Sequence, residues 1–252
     1  MGAYIYETHL HTSQASKCGR ASGCEYVDYF ISRGYSGIIV TDHFLSGNTA
    51  VPQDLPWKER IDLYAKGYED AKRASAGTGF NVMFGVEHNY EGDEFLIYGL
   101  GKEWLIDNSS IMEMERRQLH DHVRSEGGIM VQAHPFRERV YLSNIKLTDD
   151  ICDGVEVYNA ENSDNMNALA FEYAKKLGVP MTSGSDIHRL HDRKLGGMLF
   201  EQEILSVEEY RDAVLKGEGT PVVFDNGKFI RVSDLEEMTV PSAPPSVKVI
   251  HF

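Results

Sequence analysis

Gly37-Ile38-Ile39-Val40-Thr41-Asp42-His43 decides how the chain is read, because a strand-forming run ends abruptly in a carboxylate and an imidazole. The same pattern recurs. Val82-Met83-Phe84-Gly85-Val86 runs into Glu87, Ile129-Met130-Val131-Gln132-Ala133 into His134, and Thr182-Ser183-Gly184-Ser185 into Asp186 and then His188. Upstream, Tyr4–His11 reads as a strand with Glu7, His9 and His11 on one face, since strand side chains alternate sides. A lone histidine in such a place is usually structural, as we read His88, His120, His122, His191 and His251. Metal-ligand residue types at five separate strand ends are a different matter. Imidazoles and carboxylates together suit zinc, iron or manganese, and a carboxylate such as Glu87 can bridge two ions.

Helical patterns lie between the strands. Cys24–Arg33 closes on Gly34, Trp57–Ser75 reads as one long helix, and further helices are expected over Ser110–Ser125, Asp164–Leu177 and Val207–Leu215. The last is opened by Ser206 with Glu209 three residues on, a capping box. Strands are expected over Gly37–Thr41, Val82–Glu87, Phe95–Gly101, Ile129–Ala133, Gly154–Tyr158, Val179–Ser183 and Gly197–Phe200, and Asp225-Asn226-Gly227 marks a hairpin turn. This alternation over residues 1–232 predicts an α/β domain, a TIM-barrel-like parallel barrel whose strand ends open on one face where the site residues converge. From Ser233 onward Pro241, Pro244 and Pro245 break any period, so residues 233–252 are read as a tail on the surface.

Size and composition agree with one domain: 252 residues, 42% of them hydrophobic, suffice for a single large core. The net charge of −14 repels a nucleic-acid backbone, and no basic stripe reverses it, which favours a small substrate. Cys18, Cys24 and Cys152 cannot form a fully paired disulfide framework and no signal peptide precedes the first strand, so a reducing cytoplasm is expected. No apolar run approaches the ~20 residues that span a bilayer. The oligomeric state leaves no signature.

The motifs Glu7-Thr8-His9-Leu10-His11-Thr12, Thr41-Asp42-His43, Gly85-Val86-Glu87, Ala133-His134-Pro135, Gly154-Val155-Glu156-Val157-Tyr158-Asn159 and Gly184-Ser185-Asp186-Ile187-His188 resemble, in kind and order, those of the PHP (polymerase and histidinol phosphatase) family. The resemblance spans about residues 5 to 200. It implies a distorted seven-stranded (β/α) barrel, two or three divalent ions (zinc, manganese or iron) and phosphoester hydrolysis by a metal-activated hydroxide. By position, His9, His11, Glu87 and Asp186 resemble the ligands of a first ion, with Glu87 bridging to a second that His134 also holds, while His43 and His188 resemble ligands of a third. Asp42 would orient an imidazole, and Arg137 either holds a terminal phosphate or forms a surface salt bridge, with Arg139 a weaker candidate.

Three departures from the family pattern stand out. Glu7 replaces an aspartate. Cys18, in Ser16-Lys17-Cys18-Gly19, stands where the family has an Asp or His ligand, and reads either as a thiolate ligand or as an ordinary buried thiol. Leu96 stands where many members have a histidine, leaving Asp93, Glu94 or water to complete the second ion. The implied reaction is hydrolysis of a small phosphomonoester such as histidinol phosphate or a nucleotide. Two alternatives stand beside it: a phosphodiesterase or 5′-to-3′ exonuclease on short oligonucleotides, to which Arg20, Arg137, Arg139 and Arg189 lend limited support, and a non-catalytic, metal-stabilised binding module. Substrate choice is expected in the loops Ser46–Pro56 and Phe136–Asp150.

Overall fold

The computed structural model describes residues 3–140 and 142–252. In chain order, β1 (Tyr4–Leu10), α1 (Gly23–Ile31), β2 (Gly37–Val40), α2 (Trp57–Tyr64), α3 (Lys66–Ala74) and β3 (Asn81–Phe84) form the first half of the molecule. Then come β4 (Val86–Tyr90), β5 (Asp93–Tyr98), α4 (Lys102–Asp107), α5 (Arg116–Ser125), β6 (Ile129–Gln132) and β7 (Asn144–Leu147). The remainder is β8 (Gly154–Asn159), α6 (Asp164–Leu177), β9 (Met181–Gly184), β10 (Leu195–Phe200), α7 (Val207–Leu215), β11 (Thr220–Asp225), β12 (Lys228–Arg231), α8 (Glu236–Thr239) and β13 (Lys248–His251). No helix among the described residues is long and apolar enough to cross a membrane.

The expected seven-stranded barrel does not form. The strands make a six-stranded sheet in the order β12-β11-β10-β1-β2-β3, a five-stranded sheet β4-β5-β6-β8-β9 and a small pair β13-β7, and no sheet among the described residues closes on itself. The cause lies first at Gly85. The run Val82–Glu87, read as one strand, is two: β3 ends the first sheet and β4 begins the second. A Cβ at Gly85 would stand 2.9 Å from Thr41 Cγ2 and 3.0 Å from Ile39 Cγ2, so glycine lets the chain cross there. Secondly, β4, β5 and β6 form an antiparallel meander without intervening crossover helices between β4 and β5, turned at Glu91 and Gly92, both with positive φ. Thirdly, β10 runs antiparallel to β1. Among the named strands, parallel pairing joins β1-β2-β3, β6-β8-β9 and β13-β7.

The two large sheets nevertheless touch at one end, through the isolated bridges His43–Glu87 and Leu10–Ile187. Phe44 N donates to Glu87 O at 2.8 Å and His11 N to Ile187 O at 3.0 Å. Between the sheets Tyr6, Ile39, Met83, Leu96, Tyr98, Ile129 and Val131 form a buried apolar floor, each large side chain contributing about 1.5–3 kcal/mol.

Helix limits differ from expectation in two places. Trp57–Ser75 breaks at Ala65, and the second piece lays Gly67 and Ala71 against Gly23 of α1. Of Ser110–Ser125, only Arg116–Ser125 is α-helical, after a 3-10 turn at Ser109–Met112. Ser206 caps α7 by accepting from Glu209 N at 3.2 Å, but the Glu209 carboxylate reaches Leu205 N instead of closing a box. Asn226 and Gly227, both with positive φ, turn the β11-β12 hairpin. The segment Phe136–Asp150, in which Tyr141 lies outside the described residues, contains β7, and β13 from the last twenty residues pairs with it in parallel.

Candidate metal centre

His9 and His11 project from the end of β1, and their partners fix which nitrogen carries the proton. His9 Nδ1 donates to Glu156 Oε1 at 2.9 Å, which turns Nε2 toward Glu87 Oε1 at 3.1 Å and Asp186 Oδ1 at 3.6 Å. For His11 the argument runs through Ser16. The Ser16 hydroxyl gives its proton to Asp42 Oδ1 at 2.6 Å, so it must accept from His11 Nδ1 at 3.3 Å. His11 Nε2 faces inward as well, 3.2 Å from His9 Nε2 and 3.0 Å from Asp186 Oδ1. Two imidazole nitrogens and two carboxylates thus face one buried space, and the carboxylates favour positive charge there, carried by a protonated imidazole or by a cation.

The remaining groups arrive from other elements. Glu87 comes from β4, His134 follows β6, and Asp186 follows β9. His134 Nε2 lies 3.3 Å from Glu87 Oε1 and 3.4 Å from Glu94 Oε2. His43 Nδ1 is in contact with Glu87 Oε2, yet neither atom forms a hydrogen bond, and both are buried. His188 Nδ1 donates to Asp186 O at 2.7 Å, leaving its Nε2 free to face the space. The rings of His43 and His188 stack on that of His11 at 4.2 and 4.5 Å. Four groups have ligand atoms close enough to hold an ion: His9-Glu87-His134, His9-His11-Asp186, His11-His43-His188 and His43-Glu87-Glu94. His43 Nδ1 and Glu87 Oε2, buried against each other without a hydrogen bond, and the mixed imidazole–carboxylate donor set fit divalent cations.

Electrostatics agree. Burial raises the Glu87 carboxyl, but His43, His9 and His11 outweigh it and hold it well below the usual carboxylate range. Burial lowers His9, while Glu156, Asp186 and Glu87 hold it well above the usual imidazole value, the signature of a field that favours positive charge. Burial raises the Cys18 thiol, but hydrogen bonds with His188 and His43 bring it down to about 6. Burial also pushes Glu7 up to about 7 against hydrogen bonds from Ser185 and His9 N.

Of the residues expected from sequence, His9, His11, His43, Glu87, His134, Asp186 and His188 are brought together, whereas Cys18 lines the same cavity but belongs to none of these ligand groups. Asp42 does not reach an imidazole directly; it accepts from Thr12 N at 2.6 Å, Thr12 Oγ1 at 2.7 Å and Ser16 Oγ, and so acts on His11 through Ser16. Arg137, its side chain 11% exposed on the cavity wall, ties its guanidinium inward: it holds Asp186 Oδ2 at 2.6 Å, Asn159 Oδ1 at 2.6 Å and Asn162 Oδ1 at 2.7 Å. Leu96 lies in the apolar floor, directly opposite Glu87 in the β4-β5 ladder. Glu94, two residues earlier on the same face, points to the cluster, whereas Asp93 turns away to Arg116 at 2.6 Å.

Three supporting residues had no role in the sequence reading. Glu156 joins His9 to His134, accepting from His134 N at 3.0 Å, and Asn159 donates to Glu156 Oε2 at 2.9 Å and to Asp186 Oδ2 at 3.3 Å. Gly184 makes room for them, since a Cβ there would stand 2.5 Å from His9 Cβ and 2.9 Å from Glu156 Oε1. A glutamate inside the apolar run Gly154–Tyr158 was the available signal. The cluster opens on a cavity of about 490 Å³ lined by Cys18, His43, Glu94, Arg137, Arg139 and His188 among others.

No known family profile and no curated protein sequence matches the chain. Among solved structures it is similar to a two-domain protein from Bacteroides vulgatus that contains a predicted PHP-like metal-dependent phosphoesterase, with 16% identity and a TM-score of 0.66 over 94% of this chain and 69% of that one. It is also similar to PsfC from Pseudomonas syringae, with 12% identity and a TM-score of 0.51 over 94% of both chains. A provisional metal-dependent phosphoesterase from Bifidobacterium adolescentis aligns with 16% identity and a TM-score of 0.50 over 84% of this chain and 96% of that one. At these identities the likeness speaks for the fold, which is that of the PHP-like structures.

Proposed function

We propose that the chain is a metal-dependent hydrolase of small phosphomonoesters. The observation that carries this is the convergence of the His9 and His11 Nε2 atoms with Glu87, His134 and Asp186 in one buried space. Divalent ions held there would draw the pKa of a water toward neutrality and neutralise the phosphate oxygens. The chain's own residues prepare that chemistry. Glu156 orients the His9 ring and Ser16, held by Asp42, orients that of His11, so both would offer Nε2 to an ion. Arg137 and Asn159 clamp Asp186 in place. Arg139, near Glu94 at 3.9 Å, brings a further cation to the cavity wall and would attract the anionic end of a substrate.

Size and charge support a small substrate. A cavity of about 490 Å³ is in the range of small-molecule sites, and a net charge of −14 disfavours long polyanions. The test is a parallel assay of p-nitrophenyl phosphate and bis-p-nitrophenyl phosphate after chelation and reloading with manganese, iron(II) or zinc. We expect metal-dependent turnover with the monoester preferred. A faster diester reaction would make the chain a diesterase, and no turnover of either ester with any of the metals would overturn the reading.

A further inference from the structure

We infer that residues 242–251 form a strap that completes the substrate cavity, tying the start of α6 to the loop after His134 and holding the Glu138 carboxylate back from an anionic substrate. The inference rests on the phosphoesterase reading above and concerns what shapes the cavity, not what the metal cluster does.

The anchors of the strap lie on two walls of that cavity. One wall is Arg137-Glu138-Arg139, and the other is Glu161-Asn162-Ser163 with Met166 of α6. In the first turn of α6, Asn165 grips the strap with both ends of its amide. Its Oδ1 accepts from Ser242 N at 2.8 Å, Ser242 Oγ at 3.0 Å and Ala243 N at 3.0 Å, and its Nδ2 donates to Ala243 O at 3.1 Å. On the facing loop, Glu138 Oε1 accepts from Ser246 N at 2.7 Å and Oε2 from the Ser246 hydroxyl. The strap then continues as β13, which pairs with β7, while Val247 and Val249 pack on the cluster that holds Phe136, Leu147 and Tyr173. His251 Nδ1 lies 2.9 Å from Asp149 Oδ1, which also accepts from Tyr173 OH at 2.9 Å.

Glu138 is where the strap meets function. Arg137, Glu138 and Arg139 all line the cavity, and the two guanidinium groups favour an anion there. A carboxylate between them opposes that attraction when it is free to turn inward. Ser246 engages it with both of its donors, and Asn165 fixes the strap from which Ser246 acts. Ser246 and Asn165 are therefore positioning residues that act on the substrate through Glu138.

The test separates KM from kcat on p-nitrophenyl phosphate, with the whole chain reloaded with metal. In Asn165→Ala/Ser246→Ala the expected result is a KM raised about 5- to 10-fold with kcat and metal content changed by less than ~2-fold, the rise shrinking in about 1 M salt, which screens the freed carboxylate. Adding Glu138→Gln should bring KM back to within ~2-fold of the natural protein, a repair that removing one charge would not give to a misfolded chain. Asn165→Asp/Ser246→Thr keeps the accepting oxygens and the hydroxyl and should recover most of the loss. An unchanged KM in the first variant, or a rise that Glu138→Gln does not repair, overturns the strap. Should the natural protein hydrolyse no ester, the phosphoesterase reading falls, and hydrogen exchange decides the strap by itself. The amides of residues 137–139 and 162–166 should then exchange at least ~10-fold faster in Asn165→Ala/Ser246→Ala, and equal rates overturn the inference.

Discussion

His9, Glu87 and Asp186 are at most 1% exposed, whereas the His188 side chain is 27% exposed and Cys18 half-buried. The first three stand at strand ends and are gripped from behind, His9 by Glu156 and Asp186 by Arg137 and Asn159. His43, His188 and Cys18 stand on loops that follow strands and border the cavity, which Asp186 also reaches from within. The difference teaches that one cluster can combine a rigid inner half with an outer half open to exchange. An ion in the inner half would leave slowly and set the chemistry, while one in the outer half would answer to the metal concentration around the protein.

The division is tested most severely at His9. His9→Ala should cost at least ~100-fold in aryl-phosphate turnover and remove more than one ion, because this imidazole belongs to two of the four candidate groups. Full activity with normal metal content by elemental analysis would dissolve the distinction. Glu156→Gln comes next, since a neutral amide holds the His9 tautomer less firmly. A loss of about 10- to 100-fold in metal affinity, measured by competition with a chelator, is expected with the fold unchanged. His188→Ala should release the outer ion alone, which equilibrium dialysis would read as one equivalent lost and the rest retained; loss of all ions would mean that the halves are not separable.

The smallest effect is at His88, which sharpens the contrast by lying next to Glu87 on the opposite face of β4. Its ring is buried near Phe44, and burial lowers it from 6.5 to about 4. A histidine depressed in the folded state contributes stability above its unfolded value and loses it as pH falls toward the folded value. Between pH 6.5 and about 4 the loss should therefore reach about 2–3 kcal/mol. His88→Leu should flatten that part of the stability profile, read by urea unfolding, and leave metal content alone.

Much of the centre was legible because chemistry at a strand end leaves a local mark: apolar residues run up to His134 or Asp42-His43 and stop. The architecture was less so. Nothing in Val82–Glu87 reports that the chain changes sheets at Gly85, because what breaks the strand is the approach of Thr41 and Ile39 from another strand. Likewise β7 is a four-residue strand paired with β13 about a hundred residues away, and period alone does not reveal it. Glu156 was visible as a misplaced charge, but its double hold on His9 and His134 exists only once β8 lies beside β6.

His134 and Asp186 hold backbone angles of φ 29° and 53°, a region that side chains with a Cβ rarely adopt and glycine enters freely. Such strain persists where surrounding structure enforces it. Laboratory evolution for heat resistance alone, carried out in chelator, would therefore drift toward glycine at these two codons, and its survivors would be sturdier proteins blind to metal. Screening for robustness and screening for turnover would pull this chain in opposite directions at the same two positions.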